Sequence, residues 1–218
     1  MKKLGMFLVF ALAMIIATPS SYAQYDKMMK KAQKKEYKTK MKQFKKEGWT
    51  IYGSAHSLDV ALLDHYNKLQ NEDAQEIVGV ASSFVSKNVG KQAAMNSACN
   101  EYARQAQSFV RGRVLSDMFN NAAEEVPEEF DKFYAAYESI VAKEIKGELK
   151  PSFSIIRSKG KKDGKEVFEM QTFFVVNEKE ASKARMQAMQ NACRESELAQ
   201  KYADQVSNFI QQGFDIEE

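Results

Sequence analysis

The N-terminal 23 residues constrain this chain most, because they determine which residues fold and in which compartment. Lys2 and Lys3 give a short basic start, and an uncharged apolar run follows over Leu4–Ala17. Ser21-Tyr22-Ala23 then places small residues three and one before a predicted cut ahead of Gln24. This layout is typical of a secretory signal, and the run is shorter than the about 20 residues that a membrane span needs. We therefore expect export to the periplasm or the exterior, including a peripheral position at the outer membrane.

The predicted mature chain has the size of one domain. Removing 23 of the 218 residues leaves 195, and the loss of Lys2 and Lys3 lowers the formal net charge from +3 to +1. We divide it into a basic, helical N-terminal segment over 24–47 and a single α+β domain over 48–218. No second apolar stretch is long enough to predict a transmembrane span in the mature chain. The first cysteine is Cys99, so the start of a lipid-anchored lipoprotein is not expected.

The spacing of apolar residues predicts an α+β fold. We expect helices over 24–47, 57–69, 90–119, 127–146 and 177–212, and strands over 49–53, 76–86, 152–157 and 166–176. The last two strands form a hairpin around a charged turn at 159–165. We therefore expect an antiparallel or mixed sheet of about four strands, packed against long amphipathic helices on one face. The predicted core contains Met95, Ala98, Phe109, Phe174, Ala192, Ala203 and Val206.

Two stretches of the chain resemble each other. Residues 94–101 and 188–195 are identical at five of eight positions, and 102–105 then resembles 202–205. The offset grows from 94 to 100, so six residues would have to be inserted in the second copy. Six residues turn a helix by about 240°, so one continuous helix cannot keep both blocks on the same face. The pattern favours a duplicated strand-helix unit, with chance similarity between Ala-rich helices as the alternative.

The Ala-rich helix and the hairpin together carry a family resemblance. Its residues are Ala93, Ala94, Ala98, Ala103 and Ala106, followed by the strand over 168–176. Over roughly residues 76–210 the chain resembles the lipoprotein-twenty-like family of bacterial envelope proteins, which is related to the N-terminal domain of a flagellar assembly protein. The resemblance implies a cell-envelope protein with no established catalytic residues. The chain departs from the family by lacking its lipidated cysteine.

The two histidines give no metal or catalytic pattern. His56 and His65 are nine residues apart, which places them on opposite faces of a helix at about 100° per residue. A shared metal would need Asp59 or Asp64 and a remote ligand, and neither a His-x3-His nor a paired-cysteine spacing occurs. We interpret His56 as a loop residue and His65 as a surface residue beside Asp64. The loop from Gly160 lies between two strands, so it is not a phosphate-binding loop, and no cofactor is expected.

Cys99 and Cys193 are the only two cysteines. In an oxidising compartment, an even number indicates a candidate disulfide between them. The alternative, which we favour, is two small buried thiols, since both lie among alanines and methionines on apolar helix faces. A thiol buried in such surroundings is inert, so we expect neither to act as a nucleophile.

A lysine-rich segment runs from Lys27 to Lys46, with ten lysines and one acid, Glu36. Its net charge of +9 leaves −8 for the rest of the predicted mature chain. On a helix it would present a broad cationic face to an anionic membrane surface or a polyanion. The candidate surface-binding residues are Lys27, Lys30, Lys31, Lys34, Lys35, Lys38, Lys42, Lys45 and Lys46. The alternative is a solvated tether, or a helix docked through Tyr37, Met41 and Phe44.

These features favour a non-enzymatic cell-envelope protein that binds an envelope protein or an anionic surface. One alternative is an accessory protein that docks peripherally on an anionic surface through the lysine-rich segment. Another is a small hydrolase of unknown mechanism, which would need a histidine and an acid to converge in a cleft. Nucleic acid is not an expected partner, because the chain is expected to leave the cytoplasm and is acidic outside the segment.

We predict that the exported protein begins at Gln24. The apolar run followed by small residues at positions 21 and 23 is the pattern that directs cleavage at that point. Mass mapping of the N-terminal peptide in exported material measures the start directly. A processed, exported form that still carries Met1 would contradict the prediction.

Overall fold

The computed structural model describes residues 19–70, 73–118 and 128–211. The first elements are α1 (Pro19–Lys46), β1 (Thr50–Tyr52), α2 (Leu58–Lys68) and β2 (Ala74–Phe84). They are followed by α3 (Lys87–Arg113), which continues into a π-helical turn over Val114–Met118, and by α4 (Glu128–Glu144), which continues into a 3-10 turn over Ile145–Gly147. The last elements are β3 (Lys150–Lys162), β4 (Lys165–Asn177), α5 (Glu178–Ala192), α6 (Glu197–Lys201) and α7 (Ala203–Gln211).

The chain divides into two compact units, of which one ends at Lys42 and the other begins at Gln43. The first holds most of α1, and the second holds the sheet and the other helices. Two sequence-based predictions fall outside the described residues. These are Pro127 as the first residue of the fourth helix, and the predicted signal segment as far as residue 18.

The four strands form one antiparallel sheet in the order β1-β3-β4-β2. This confirms the α+β fold and selects the antiparallel sheet over the mixed one. The central pair is the hairpin of β3 and β4, in which Ser154 lies opposite Thr172. On the other side of β4, Phe174 lies opposite Ile77 of β2.

The hairpin turn is tighter than the predicted turn over 159–165. The strands continue to Lys162 and resume at Lys165, so only Asp163 and Gly164 connect them. Both have positive φ, 51° and 76°, which is the conformation of the two-residue turn whose twist matches that of the strands. Gly160 lies at a register shift within β3, with φ of 98°, and is therefore part of the strand as a bulge.

Helices cover both faces of the sheet, whereas we predicted long helices on one face only. On one face, Ile77 and Phe174 belong to the same buried cluster as residues of α3, α4 and α5. On the other face, the rings of Phe153 and Phe173 stack with centroids 4.4 Å apart. The ring centroid of His65 on α2 lies within 6 Å of the centroids of both rings. The strand β3 is buried at four consecutive positions, 153–156, so side chains on both of its faces are covered.

The predicted core is confirmed. All seven residues belong to one hydrophobic cluster or pack against it. That cluster includes the buried faces of α3, α5 and α7. Phe174 is 1% exposed and lies between the sheet and the helices. Met95, Phe109 and Ala203 lie at the periphery of the cluster and are only partly buried.

The single long C-terminal helix that we predicted is wrong. α5 ends at Ala192, and after a 3-10 turn Ser196 adopts an extended backbone with φ −147° and ψ 120°. The Ser196 hydroxyl oxygen accepts a hydrogen bond from the backbone N–H of Ala199 at 3.1 Å. Serine here caps the start of α6, which is why the preceding helix does not continue through it.

The break coincides with the six residues, 196–201, that the second copy of the repeated pattern would have inserted. Because α7 is a separate helix, its residues need not follow the about 240° rotation that six inserted residues would impose on one continuous helix. Both similar blocks can therefore face the core. Equivalent positions are buried in both copies: Ala98 with Ala192, Cys99 with Cys193, Ala106 with Val206, and Val110 with Ile210. The matching burial supports the interpretation of a duplicated strand-helix unit.

At Gly79, α3 approaches β2 so closely that no side chain fits between the two backbones. A Cβ atom at Gly79 would lie 1.9 Å from the carbonyl oxygen of Ala94. Nearby, the backbone N–H of Val80 donates a hydrogen bond to the Ser97 hydroxyl at 3.3 Å. The glycine in β2 and the small residues of α3 therefore fix the distance between helix and sheet.

We predict that Gly79→Ala lowers the free energy of unfolding by about 3 kcal/mol, because the helix backbone must move to admit the new methyl group. Gly112→Ala is the matched control, since a Cβ there meets no atom within 4 Å. Gly112 lies in α3, the helix that Gly79 of β2 contacts, and the alanine should stabilise the protein by about 0.5–1 kcal/mol. Urea unfolding of both variants measures the difference, and equal midpoints would contradict the close approach.

Candidate functional site

Five exposed lysines of α1 form one continuous cationic surface, which we call the lysine face. It consists of Lys31, Lys34, Lys35, Lys38 and Lys42. At 3.6 residues per turn, these positions fall within an arc of about 100° around the helix. None of the five has an ion-pair partner among the described residues. The lysine face therefore presents uncompensated positive charge along one side of α1.

The other candidate lysines have different surroundings. Lys45 and Lys46 are exposed in the last turn of α1, where positive charge is favourable next to the helix carboxyl end. They belong to the second compact unit, as does Phe44, which is buried with its ring 6.0 Å from that of Phe173. Lys27 and Lys30 lie in α1, but their side chains are outside the description.

His65 is buried, so our interpretation of a surface residue beside Asp64 is wrong. Asp64 instead pairs with Lys68 at 2.7 Å. His65 shares the buried face of α2 with Ala61 and Leu62. The sequence indicates the burial of His65, because residues 61 and 65 are one helical turn apart on the apolar side of the helix.

The buried His65 forms a pair with a carboxylate. Its Nε2 lies 2.5 Å from Oε2 of Glu76 on β2, while its Nδ1 has no hydrogen-bond partner among the described residues. A histidine with a carboxylate can act as a general base, but only where substrate reaches the ring. The side chain of His65 has no exposed surface. The pair therefore fits a structural role that ties α2 to β2, and His56 lies in an exposed loop as predicted.

Both cysteines are free and buried, which is the alternative that we favoured over a disulfide. Burial raises the pKa of the Cys99 thiol and of the Cys193 thiol. The Cys193 sulfur lies 3.4 Å from the sulfur of Met189, inside the helical layer. At neutral pH both thiols stay protonated, and a protonated thiol is a poor nucleophile.

A buried arginine is the polar feature that the sequence analysis missed. Arg185 of α5 is 2% exposed and lies among the buried alanines of its helix. Its guanidinium donates hydrogen bonds to both carboxylate oxygens of Glu178 and to the hydroxyl of Tyr102 on α3. A charge can be buried in this way only when its donors are paired. The three residues therefore form a polar tie between α3 and α5.

Burial also controls the tyrosines around this arginine. It raises the pKa of Tyr102 to about 12, and the positive charge of Arg185 only partly opposes the effect. Burial raises the pKa of Tyr137 on α4 as well, and the Tyr137 hydroxyl has no hydrogen-bond partner among the described residues. Both phenols stay neutral at physiological pH, so the cluster has the character of a structural network.

A cleft opens beside the first turns of α3, and we call it the α3 cleft. Its volume is about 210 Å³. It is lined by Asn88, Lys91, Gln92, Met95, Lys146, Pro151, Thr172 and Phe174. These residues come from α3, from the turn after α4, and from the two central strands. The sequence could not indicate this site, since its walls are distant along the chain.

No protein-family model, curated protein or solved structure matches this chain. The resemblance to the lipoprotein-twenty-like family therefore stays a prediction. Within the described ranges, no helix combines the length and apolar character needed to cross a membrane. The same residues contain no group of three or more His, Cys, Asp and Glu side chains placed to hold a metal ion.

We predict that Tyr102 contributes to alkaline unfolding. Because its folded pKa lies above the ordinary value of 10, its contribution to stability is complete below pH 10 and is lost as the pH rises toward about 12. The loss amounts to roughly 2–3 kcal/mol. Tyr102→Phe should cost about 1–3 kcal/mol at pH 8, where Arg185 loses a hydrogen-bond partner, and less at pH 11.5.

Urea unfolding at these two pH values tests the prediction. Tyr52→Phe is the control, since Tyr52 is half-buried at the edge of the sheet, away from Arg185. If the stability difference between the wild type and Tyr102→Phe stays constant across this range, the buried phenol is not a source of the alkaline loss.

Proposed function

We propose that the protein is a non-enzymatic, exported cell-envelope protein that binds an anionic surface through the lysine face. The observation that carries the proposal is the set of five exposed lysines without ion-pair partners on one side of α1. Export is supported by the secretory-signal pattern of the first 23 residues. The envelope assignment is supported by the family resemblance of the strand-helix pattern.

The spacing of the lysines favours a flat, extended anion over a single small one. Lys31 and Lys42 are separated by about 16 Å along the axis, at a rise of 1.5 Å per residue. Neighbouring lysines lie within the screening length of about 8 Å at physiological salt, so they act together on a surface. Each basic residue near an anionic bilayer contributes about 1 kcal/mol. The resulting binding is weak at physiological salt and stronger at low salt.

The surroundings of the candidate catalytic residues support a non-enzymatic role. His65 has a carboxylate partner but no exposed surface, and both thiols are buried. A hydrolase that uses this histidine-carboxylate pair or a cysteine nucleophile would need one of these groups to reach a substrate. The described residues therefore offer more to a binding role than to the alternative of a hydrolase.

We predict that the mature protein co-sediments with anionic phospholipid vesicles at low salt. Lys35→Gln/Lys38→Gln/Lys42→Gln should weaken this binding by roughly 100- to 200-fold, because three charges of about 1 kcal/mol each are removed. The matched control is Lys161→Gln/Lys162→Gln/Lys165→Gln. It removes the same charge from exposed lysines of the β3-β4 hairpin.

Co-sedimentation at low and physiological salt, with zwitterionic vesicles alongside, provides the measurement. The control triple variant should bind like the wild type. Equal loss in the two triple variants would mean that net charge alone is responsible, and no binding of the wild type to anionic vesicles at low salt would overturn the proposal.

A further inference from the structure

The α3 cleft has an apolar interior. Its apolar lining, which we call the floor, consists of the buried Phe174 of β4, the half-buried Met95 of α3 and the exposed Pro151 of β3. Thr172 also faces the cleft, but its hydroxyl is already engaged with that of Ser154 at 2.9 Å. The oxygen of Thr172 is therefore satisfied, and the interior suits a ligand that buries apolar surface.

The rim of the α3 cleft is cationic. Lys91 comes from α3 and Lys146 from the turn after α4, so two separate elements supply the charge. Both are exposed, and neither has an ion-pair partner among the described residues. The lining residues include these two lysines and no acid, while Asn88 and Gln92 add carboxamide groups. The electrostatic surroundings therefore favour a negatively charged group at the mouth.

The shape of the cleft is set by the backbone. Met95 follows Ala94, whose carbonyl oxygen lies against Gly79, so the helix that forms one wall cannot shift toward the sheet. Pro151 lies opposite Phe174 in the pairing of β3 with β4, next to a register shift. The floor residues are thus held by strand pairing and by the close approach of α3 to the sheet, and a ligand would meet a largely pre-formed site.

We propose that the α3 cleft binds a small free carboxylate with a short unbranched alkyl chain. The carboxylate would lie between Lys91 and Lys146, and the chain would lie on Met95, Pro151 and Phe174. The cleft volume of about 210 Å³ is below the about 300–1,000 Å³ that holds drug-sized ligands, so the ligand is small. This site shares no residue with the lysine face, and the proposal does not rest on surface binding.

The first test is a chain-length series. The full mature protein is titrated by calorimetry with butanoate, hexanoate, octanoate and decanoate, each below its aggregation concentration. Affinity should rise about fourfold for each buried methylene, which corresponds to about 0.8 kcal/mol, and then level off when the chain outgrows the cleft. Octanol, which has the same chain without the charge, should bind more weakly than octanoate.

The second test removes the charge at the rim. Lys91→Gln/Lys146→Gln should weaken octanoate binding about tenfold and leave octanol binding unchanged, since exposed ion pairs contribute about 0.2–1 kcal/mol each and two act here. Lys143→Gln is the matched control, because Lys143 lies one turn before Lys146 but does not line the α3 cleft. It should bind octanoate like the wild type.

A third variant separates this proposal from the proposed function. Lys35→Gln/Lys38→Gln/Lys42→Gln removes charge from the lysine face, and it should keep full affinity for octanoate while losing vesicle binding. The proposal is overturned if no carboxylate binds saturably, if octanol binds as tightly as octanoate, or if Lys143→Gln or the lysine-face variant loses as much affinity as Lys91→Gln/Lys146→Gln.

Discussion

The approach of α3 to β2 at Gly79 is the contact on which the described helical layer depends. Because a side chain there would meet the carbonyl oxygen of Ala94, the helix axis is held close to the sheet. That distance places Met95, which follows Ala94 in the helix, beside the central strands. The position of Met95 in the lining of the α3 cleft is therefore a consequence of one missing Cβ atom.

The sequence predicts most of the elements because their signals are local. Period 3.6 and period 2 can be seen within one element, and turn residues such as Asp163-Gly164 mark its ends. The C-terminal helix was predicted too long because the residues around Ser196 do not exclude a helix on their own. The signal for a break is the offset of six residues between the similar blocks, which appears only when two distant segments are compared. Where the local sequence has only a weak preference for or against a helix, tertiary packing determines whether the helix continues.

The candidate sites also differ in how far the local sequence indicates them. The lysine face could be predicted, since a lysine-rich segment and a helical period together determine which side chains share a side. The sequence could not indicate the partners of His65 and Arg185, because Glu76 lies on β2 and Tyr102 lies 83 positions from Arg185. A polar residue on an apolar helix face is tolerated only when a remote partner exists. Such residues are informative only once the packing is known.

The lysine face and the α3 cleft would attract an anion through different interactions. The lysine face has exposed charge, so its attraction for an anion falls with ionic strength. The α3 cleft combines two charges with an apolar floor, and apolar burial is not screened and even strengthens in salts such as sulfate. A ligand held by the floor would therefore stay bound at salt concentrations that release the lysine face from a surface. Under the two proposals, the chain would carry a salt-sensitive attachment and a salt-tolerant ligand site, and neither would depend on the other.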